Sequence, residues 1–290
     1  MFRLRPCRFP VCLIALSAIL LAPGTQAASA CVWKVTRSDG KIAYLGGSVH
    51  ALRASDYPLP PAFMRAFNAS SRIAFEVDAR ALKESSKSLV DHGKYRKGDS
   101  LKNHVDARTY AYMRRIFELM DVPESVFSQY RPWFIVLMLQ SASTRSALPK
   151  AGVDEFLMKQ AAKRSMPVVG LESVQEHARI YSGLTDRESE ILLLVTFIPS
   201  ATNSGNDDIM KAWRRGDAEM LARIMDRESQ EFPAFNDRLL GARNRAWVPK
   251  IEGFLASGHT YFVVAGAGHF GGSKGLLALL RAKGYQIEQL

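Results

Sequence analysis

Residues 261–290 read YFVVAGAGHFGGSKGLLALLRAKGYQIEQL, and this stretch decides the fold. Residues 261–265 are an unbroken apolar run ending at Gly266, the pattern of a strand buried on both faces. Ser273 is placed to cap a helix running to Lys283, and Gly284 stops that helix. Residues 285–290 then return as a strand. Strand, crossover helix, strand predicts a parallel pair in a sheet covered by helices. Such proteins place their ligands at the carboxyl ends of the strands.

Working outward, residues 32–37 and 41–46 read as a hairpin turned at Ser38-Asp39-Gly40. Pro58 to Pro61 leads into a short helix at 62–68, and residues 72–78 (RIAFEVD) form a third strand. Residues 79–258 are mostly helical, with helices expected at 107–120, 133–139, 153–162, 173–181, 186–197, 207–225 and 235–256. One short strand at 167–171 interrupts them. The fold class is α/β: a mixed central sheet, a parallel βαβ unit at the C-terminus and a large helical middle region. No repeat, low-complexity tract or Pro/Gly/Ser linker divides the chain, so residues 31–290 are expected to form a single domain with a helical insertion at about 79–258.

The first thirty residues read as a secretion signal. Arg3, Arg5 and Arg8 precede the apolar run VCLIALSAILLA at 11–22, Pro23-Gly24 breaks it, and Ala28-Ser29-Ala30 supplies small residues for a peptidase. The run is short for a membrane span, and no later stretch is long and apolar enough for one. The expected location is therefore periplasmic or secreted, with a lipid anchor at Cys31 as the alternative. Cys7 and Cys12 leave with the signal, so no disulfide can form within the mature chain. Loss of the three arginines takes the net charge from +11 to +8. The basic residues are scattered among acids rather than gathered into a patch, and no nucleic-acid motif accompanies them.

Two short patterns match each other. Gly47-Ser48-Val49-His50 and Gly266-Ala267-Gly268-His269 each begin where an apolar strand ends. Gly47, Gly266 and Gly268 let backbone pass close to a ligand or cofactor, and a histidine just beyond can face the crevice. In the 72–78 strand, alternation separates Ile73, Phe75 and Val77 from Ala74, Glu76 and Asp78. An ionised Glu76 in a central strand needs an arginine or a metal as partner. His50, Glu76 and His269 together make a two-histidine, one-carboxylate set of the kind that binds Zn, Mn or Co. Such a metal acidifies a bound water and polarises a carbonyl, which gives hydrolysis of a peptide or other small substrate held in a cleft. Glu172, at another strand end, is a further ligand, a partner to the ligands or a general base. Arg243 is placed to stabilise developing negative charge. His92, His104, His177 and His259 lack such context and read as surface residues.

These segments resemble the TraB/GumN family, related to the Tiki metalloproteases and more distantly to erythromycin-esterase and haem-binding ChaN-like folds. The resemblance runs through the 33–46 hairpin, Gly47-Ser48-Val49-His50, Tyr57-Pro58-Leu59-Pro60 and Phe75-Glu76-Val77-Asp78. It continues with Pro132-Trp133, Gly152-Val153-Asp154, Gly170-Leu171-Glu172-Ser173 and Arg243-Asn244, and closes with Val264 to His269 and Gly284-Tyr285. It implies that the two histidines and Glu76 form a metal-dependent site. Ser48 stands where threonine is common, and Phe270 where an aliphatic residue is common. The leading expectation is an exported metal-dependent hydrolase, most plausibly a peptidase. The alternatives are a haem- or metal-binding envelope protein without turnover, or an envelope protein whose site has lost its activity.

Overall fold

The computed structural model describes residues 30–78, 89–147, 150–197, 204–228 and 233–290. Residues 1–29, which carry nearly all of the expected signal, lie outside them.

Eight strands are present among the described residues: β1 (Val32–Thr36), β2 (Ile42–Ser48), β3 (Ala51–Leu52), β4 (Arg72–Val77), β5 (Lys150–Ala151), β6 (Val168–Glu172), β7 (Tyr261–Gly266) and β8 (Gln286–Gln289). Six of them form one sheet in the order β6-β4-β7-β2-β1-β8, while β3 and β5 pair separately. β6, β4, β7 and β2 are parallel neighbours, and β1 is antiparallel to both β2 and β8. The apolar run at the heart of the sequence lies at the heart of the sheet. Phe262, Val263, Val264 and Ala265 of β7 are all fully buried, between β4 and β2.

The hairpin turns as expected, with Gly40 at φ +82°. β2, however, runs two residues further than expected, so Gly47 and Ser48 belong to the strand. The crossover from β7 to β8 needs a correction. Both strands point the same way, but β2 and β1 lie between them, so they are not a hydrogen-bonded pair. Pairing β8 with β1 leaves both central neighbours of β7 as parallel strands. The crossover helix is also shorter than expected: it spans Leu276–Ala282 and starts from Gly275 rather than Ser273.

The expected single helix at 207–225 is two helices, Ser204–Arg214 and Ala218–Glu228. Gly216 takes φ +68° between them, and the Asp217 side chain accepts from Met220 N–H to start the second. The helix expected at 235–256 begins with Pro233–Asn236, widens into a π turn at Asp237–Gly241 and continues as Ala242–Ala256. The main core wraps the sheet. A second apolar cluster, around Leu101, Met113, Phe117, Phe127, Ile135 and Leu193, belongs to the 3₁₀ turn Leu101–Asn103 and the helices Ala107–Leu119, Glu124–Phe127, Pro132–Ala147 and Asp186–Phe197. No helix of the described residues is long and apolar enough to cross a membrane.

Candidate active site at the strand ends

The four parallel strands deliver one side chain each to the same rim of the sheet. In sheet order they bring Glu172 at the end of β6, Glu76 near the end of β4, His269 just beyond β7 and His50 just beyond β2. Register keeps the strand ends level: Val77 faces Glu172, and Ser48 faces Gly266.

Arg243, from the first turn of helix Ala242–Ala256, sits at the centre. Its Nε donates to Glu172 Oε2 at 3.0 Å, and its Nη2 donates to Glu172 Oε1 at 2.7 Å and to Glu76 Oε2. Its Nη1 donates to the Leu239 carbonyl at 2.9 Å and to His269 Nε2 at 3.1 Å. The π turn directly before Arg243 carries that carbonyl, so a local widening of the helix helps to seat the guanidinium. Trp247, one helical turn on, packs against both partners, its ring 4.5 Å from the guanidinium and 4.5 Å from the His269 ring, to which it is tilted by 38°.

Glu76 takes its other hydrogen bond from the Gly266 N–H, at 2.7 Å. A Cβ on Gly266 would stand 3.3 Å from that carboxylate oxygen, so glycine permits the close approach. Gly47 and Gly268 are hemmed in by protein atoms, Gly47 by Cys31 and Ala267 and Gly268 by Met225. Burial alone would raise the Glu76 pKa. The positive charge of His269 and Arg243 and the Gly266 N–H reverse this and hold the carboxyl at about 2. The His269 ring is pushed the other way by burial, down to about 4, although Glu76 opposes this. His269 is therefore neutral at neutral pH, and Arg243 is the cation that keeps Glu76 ionised there. Glu172 is likewise held below the usual range: burial raises it, and hydrogen bonds from His177 and Arg243 outweigh that.

His269 Nε2 lies 3.8 Å from Glu76 Oε1, so these two expected site residues meet. His50 stands apart. Its side chain is 79% exposed and its Nδ1 faces Asp154 Oδ2 at 3.4 Å. The hydrogen-bonding contact with Asp154, helped by the charge of Glu76, raises its pKa to about 9. As a metal ligand His50 would first have to give up that proton.

His177 corrects an expectation. It is half-buried rather than a surface residue, and its Nδ1 lies 2.6 Å from Glu172 Oε1. One ligand atom each from Glu76, Glu172 and His177 lie within 4.8 Å of one another, the arrangement of a possible metal cluster. A sequence signal for His177 existed. Ser173 and Glu176 form a reciprocal capping box, which fixes the helix start and folds the first turn back over Glu172. His104 is also no bare surface residue, since it bridges Asp99 and Asp186 far from this site in sequence. His92 and His259 are exposed, as expected.

The fold and this rim define an α/β protein that gathers two carboxylates, an arginine and two histidines at the carboxyl ends of parallel strands. The chain belongs to the TraB/PrgY/gumN family, whose profile matches residues 31–289. It is 22% identical to the "Uncharacterized protein YbaP" of Shigella flexneri over 85% of this chain and 90% of that protein. It is also 22% identical to the metalloprotease TIKI2 of Danio rerio, over 84% of this chain and 58% of that protein. Against the human metalloprotease TIKI1 the identity is 22%, over 92% of this chain and 63% of that protein. The chain thus spans about three fifths of the length of these two Tiki proteins. No solved structure matches it.

Proposed function

We propose that the chain is a metal-dependent hydrolase acting on peptides, exported to the periplasm or secreted. One observation carries the reading: Glu76 and Glu172 aim lone pairs at Nη2 of Arg243 and His269 aims one at Nη1, so three acceptors converge on one guanidinium, with His177 close beside the two carboxylates. That position is built to hold positive charge, and two carboxylates with an imidazole suit Zn, Mn or Co. Glu76, Glu172 and His269, with His177 or His50 completing the set, are the residues that would hold such an ion. When bound, the ion supplies a Lewis acid for water and carbonyl.

The chain's own groups do the rest. Arg243, held by the Leu239 carbonyl and packed against Trp247, would offer N–H donors to an oxyanion. Glu172 would take up a proton from a bound water, while His177, half-exposed, orients that carboxylate by donating Nδ1–H to its Oε1 at 2.6 Å. The family's Tiki metalloproteases support a peptide as substrate. The signal-like 1–30 segment supports export.

The test is metal analysis of protein purified without chelator, alongside His269→Ala and Glu76→Ala. About one equivalent of transition metal is expected in the wild type and little in either variant. Cleavage of a fluorogenic peptide mixture should disappear with chelator and return with Zn²⁺, Mn²⁺ or Co²⁺. Metal content unchanged in both variants would refute the reading. N-terminal sequencing of protein from the periplasm or medium tests export.

A further inference from the structure

Helix Ala242–Ala256 presents Arg243, Asn244 and Trp247 to the same histidine. The middle residue has a role of its own. Asn244 is 1% exposed and His269 is 3% exposed, so these buried polar atoms depend on one another for hydrogen bonds. The Asn244 amide nitrogen donates to two backbone carbonyls, His269 O at 3.2 Å and Lys274 O at 2.9 Å. Both of those atoms only accept, so they fix which end of the amide is NH₂. Oδ1 then faces His269 Nδ1 at 2.6 Å, and an amide oxygen can only accept. Nδ1 therefore carries the hydrogen.

The opposite edge of the ring agrees. Arg243 Nη1, which can only donate, points at Nε2 from 3.1 Å. A neutral imidazole protonated on Nδ1 has its lone pair on Nε2, so the donor finds an acceptor. Without Asn244 the Nδ1 hydrogen loses its acceptor, and Nε2 is left between two opposing neighbours, the Arg243 donor at 3.1 Å and the Glu76 carboxylate at 3.8 Å.

We propose that Asn244 is a positioning residue that locks His269 as the Nδ1–H tautomer and so aims the Nε2 lone pair at the Glu76–Glu172 rim. The value of that lone pair for ligation rests on the hydrolase reading above; the tautomer stands without it. Partners of this kind, behind a metal-binding histidine, set ring orientation and ligand basicity.

The experiment uses protein labelled with ¹⁵N-histidine, with the His269 signals identified by their loss in His269→Gln. In the wild type near neutral pH, Nδ1 should show the shift of a protonated nitrogen and Nε2 that of a bare one. Asn244→Leu should move the proton to Nε2 or mix the two forms, whereas Asn244→Asp, which keeps an acceptor, should retain Nδ1–H. A wild-type ring protonated on Nε2 overturns the proposal even if neither variant folds, and so does an Asn244→Leu ring that keeps Nδ1–H. A separate titration with Zn²⁺ alone should show tenfold to a hundredfold weaker binding in Asn244→Leu. Wild-type protein that binds no Zn²⁺ but shows Nδ1–H would sink the metal reading and leave the tautomer assignment standing.

Discussion

Arg243 grips Glu172 with two nitrogens, Nε to Oε2 at 3.0 Å and Nη2 to Oε1 at 2.7 Å, a fork matched to a carboxylate. The same Nη2 also holds Glu76, so one buried cation is shared by a buried and a partly buried acid. Removing it leaves two carboxylates facing each other in a poorly solvated place. Arg243→Met should therefore lose about 3–5 kcal/mol of stability in the presence of chelator, measured by denaturant unfolding. The freed lone pairs also lose their competitor. Added Zn²⁺ should then stabilise the variant more than it stabilises the wild type. Equal stability of the two proteins in chelator would show that the guanidinium is not what balances these charges.

Much of this rim was legible in the sequence, because it depends on local patterns. The run at 261–265 marks the central strand, strand alternation singles out Glu76, and both Gly-x-x-His segments sit at strand ends. What was not legible depends on distant packing. His177 is the exception, a local signal that was missed: the Ser173–Glu176 capping box turns the chain back over Glu172 and brings the ring to it. β8 takes the edge beside β1, an antiparallel pairing in place of the expected parallel one with β7, and the strand's own residues do not encode that choice. His50 faces Asp154 because the loop after β2 meets the start of helix Val153–Lys163, about a hundred residues away. The helix break at Gly216 was marked by a glycine, but the apolar spacing of 207–225 carries straight through it.

The loop bearing His50 has its own dependence on a glycine. A Cβ added to Gly152 would stand 2.3 Å from the His50 carbonyl carbon and 2.4 Å from the His50 and Val49 oxygens. All three neighbours are backbone, so no rotamer change can relieve the clash. Gly152→Ala should cost about 1–3 kcal/mol and displace His50, with the Val153 N–H to Val49 carbonyl bond the first to stretch. Gly253 is the control, since it lies within helix Ala242–Ala256 with open space where its Cβ would go. Gly253→Ala should gain about 0.4–1 kcal/mol. Thermal melts of the two variants check both signs, and equal shifts would contradict the packing described.

His104 joins the helical region through charge, and its effect on stability should depend on pH. Its Nε2 lies 2.8 Å from Asp99 and its Nδ1 2.9 Å from Asp186, while the ring stacks on Tyr95 at 4.3 Å. Arg131 lies over the far partner, the Tyr95 ring, and Asn103 shares Asp99. Burial lowers the His104 pKa, but the two carboxylates outweigh it and the net shift is upward. A group with a raised pKa contributes stability in full below its unfolded value, near 6.5, and loses it as pH rises through the folded value. The wild type should therefore melt above His104→Gln at about pH 6, and the gap should narrow at alkaline pH. A gap that widens with pH would mean that the ring is neutral and binds by other means.

Cys31 gives a prediction that reaches from chemistry to processing. Its thiol is fully buried at the start of β1, within 3.6 Å of the Trp213 carbonyl. Burial, helped by the charge of Asp217, pushes its pKa up to about 12, so hardly any thiolate exists at neutral pH. The neighbouring backbone is tied down too, because the Ala30 carbonyl accepts from Val32 N–H and from the Gln289 side chain. A maleimide should therefore leave the Cys31 peptide unmodified in native protein and label it fully in denaturant, as read by mass spectrometry. A lipid thioether on the same sulfur needs the same exit from the core, so a lipidated chain would have to release the first residues of β1. Rapid native labelling of Cys31 would show that this strand end opens readily, and would remove the steric objection to a lipid there.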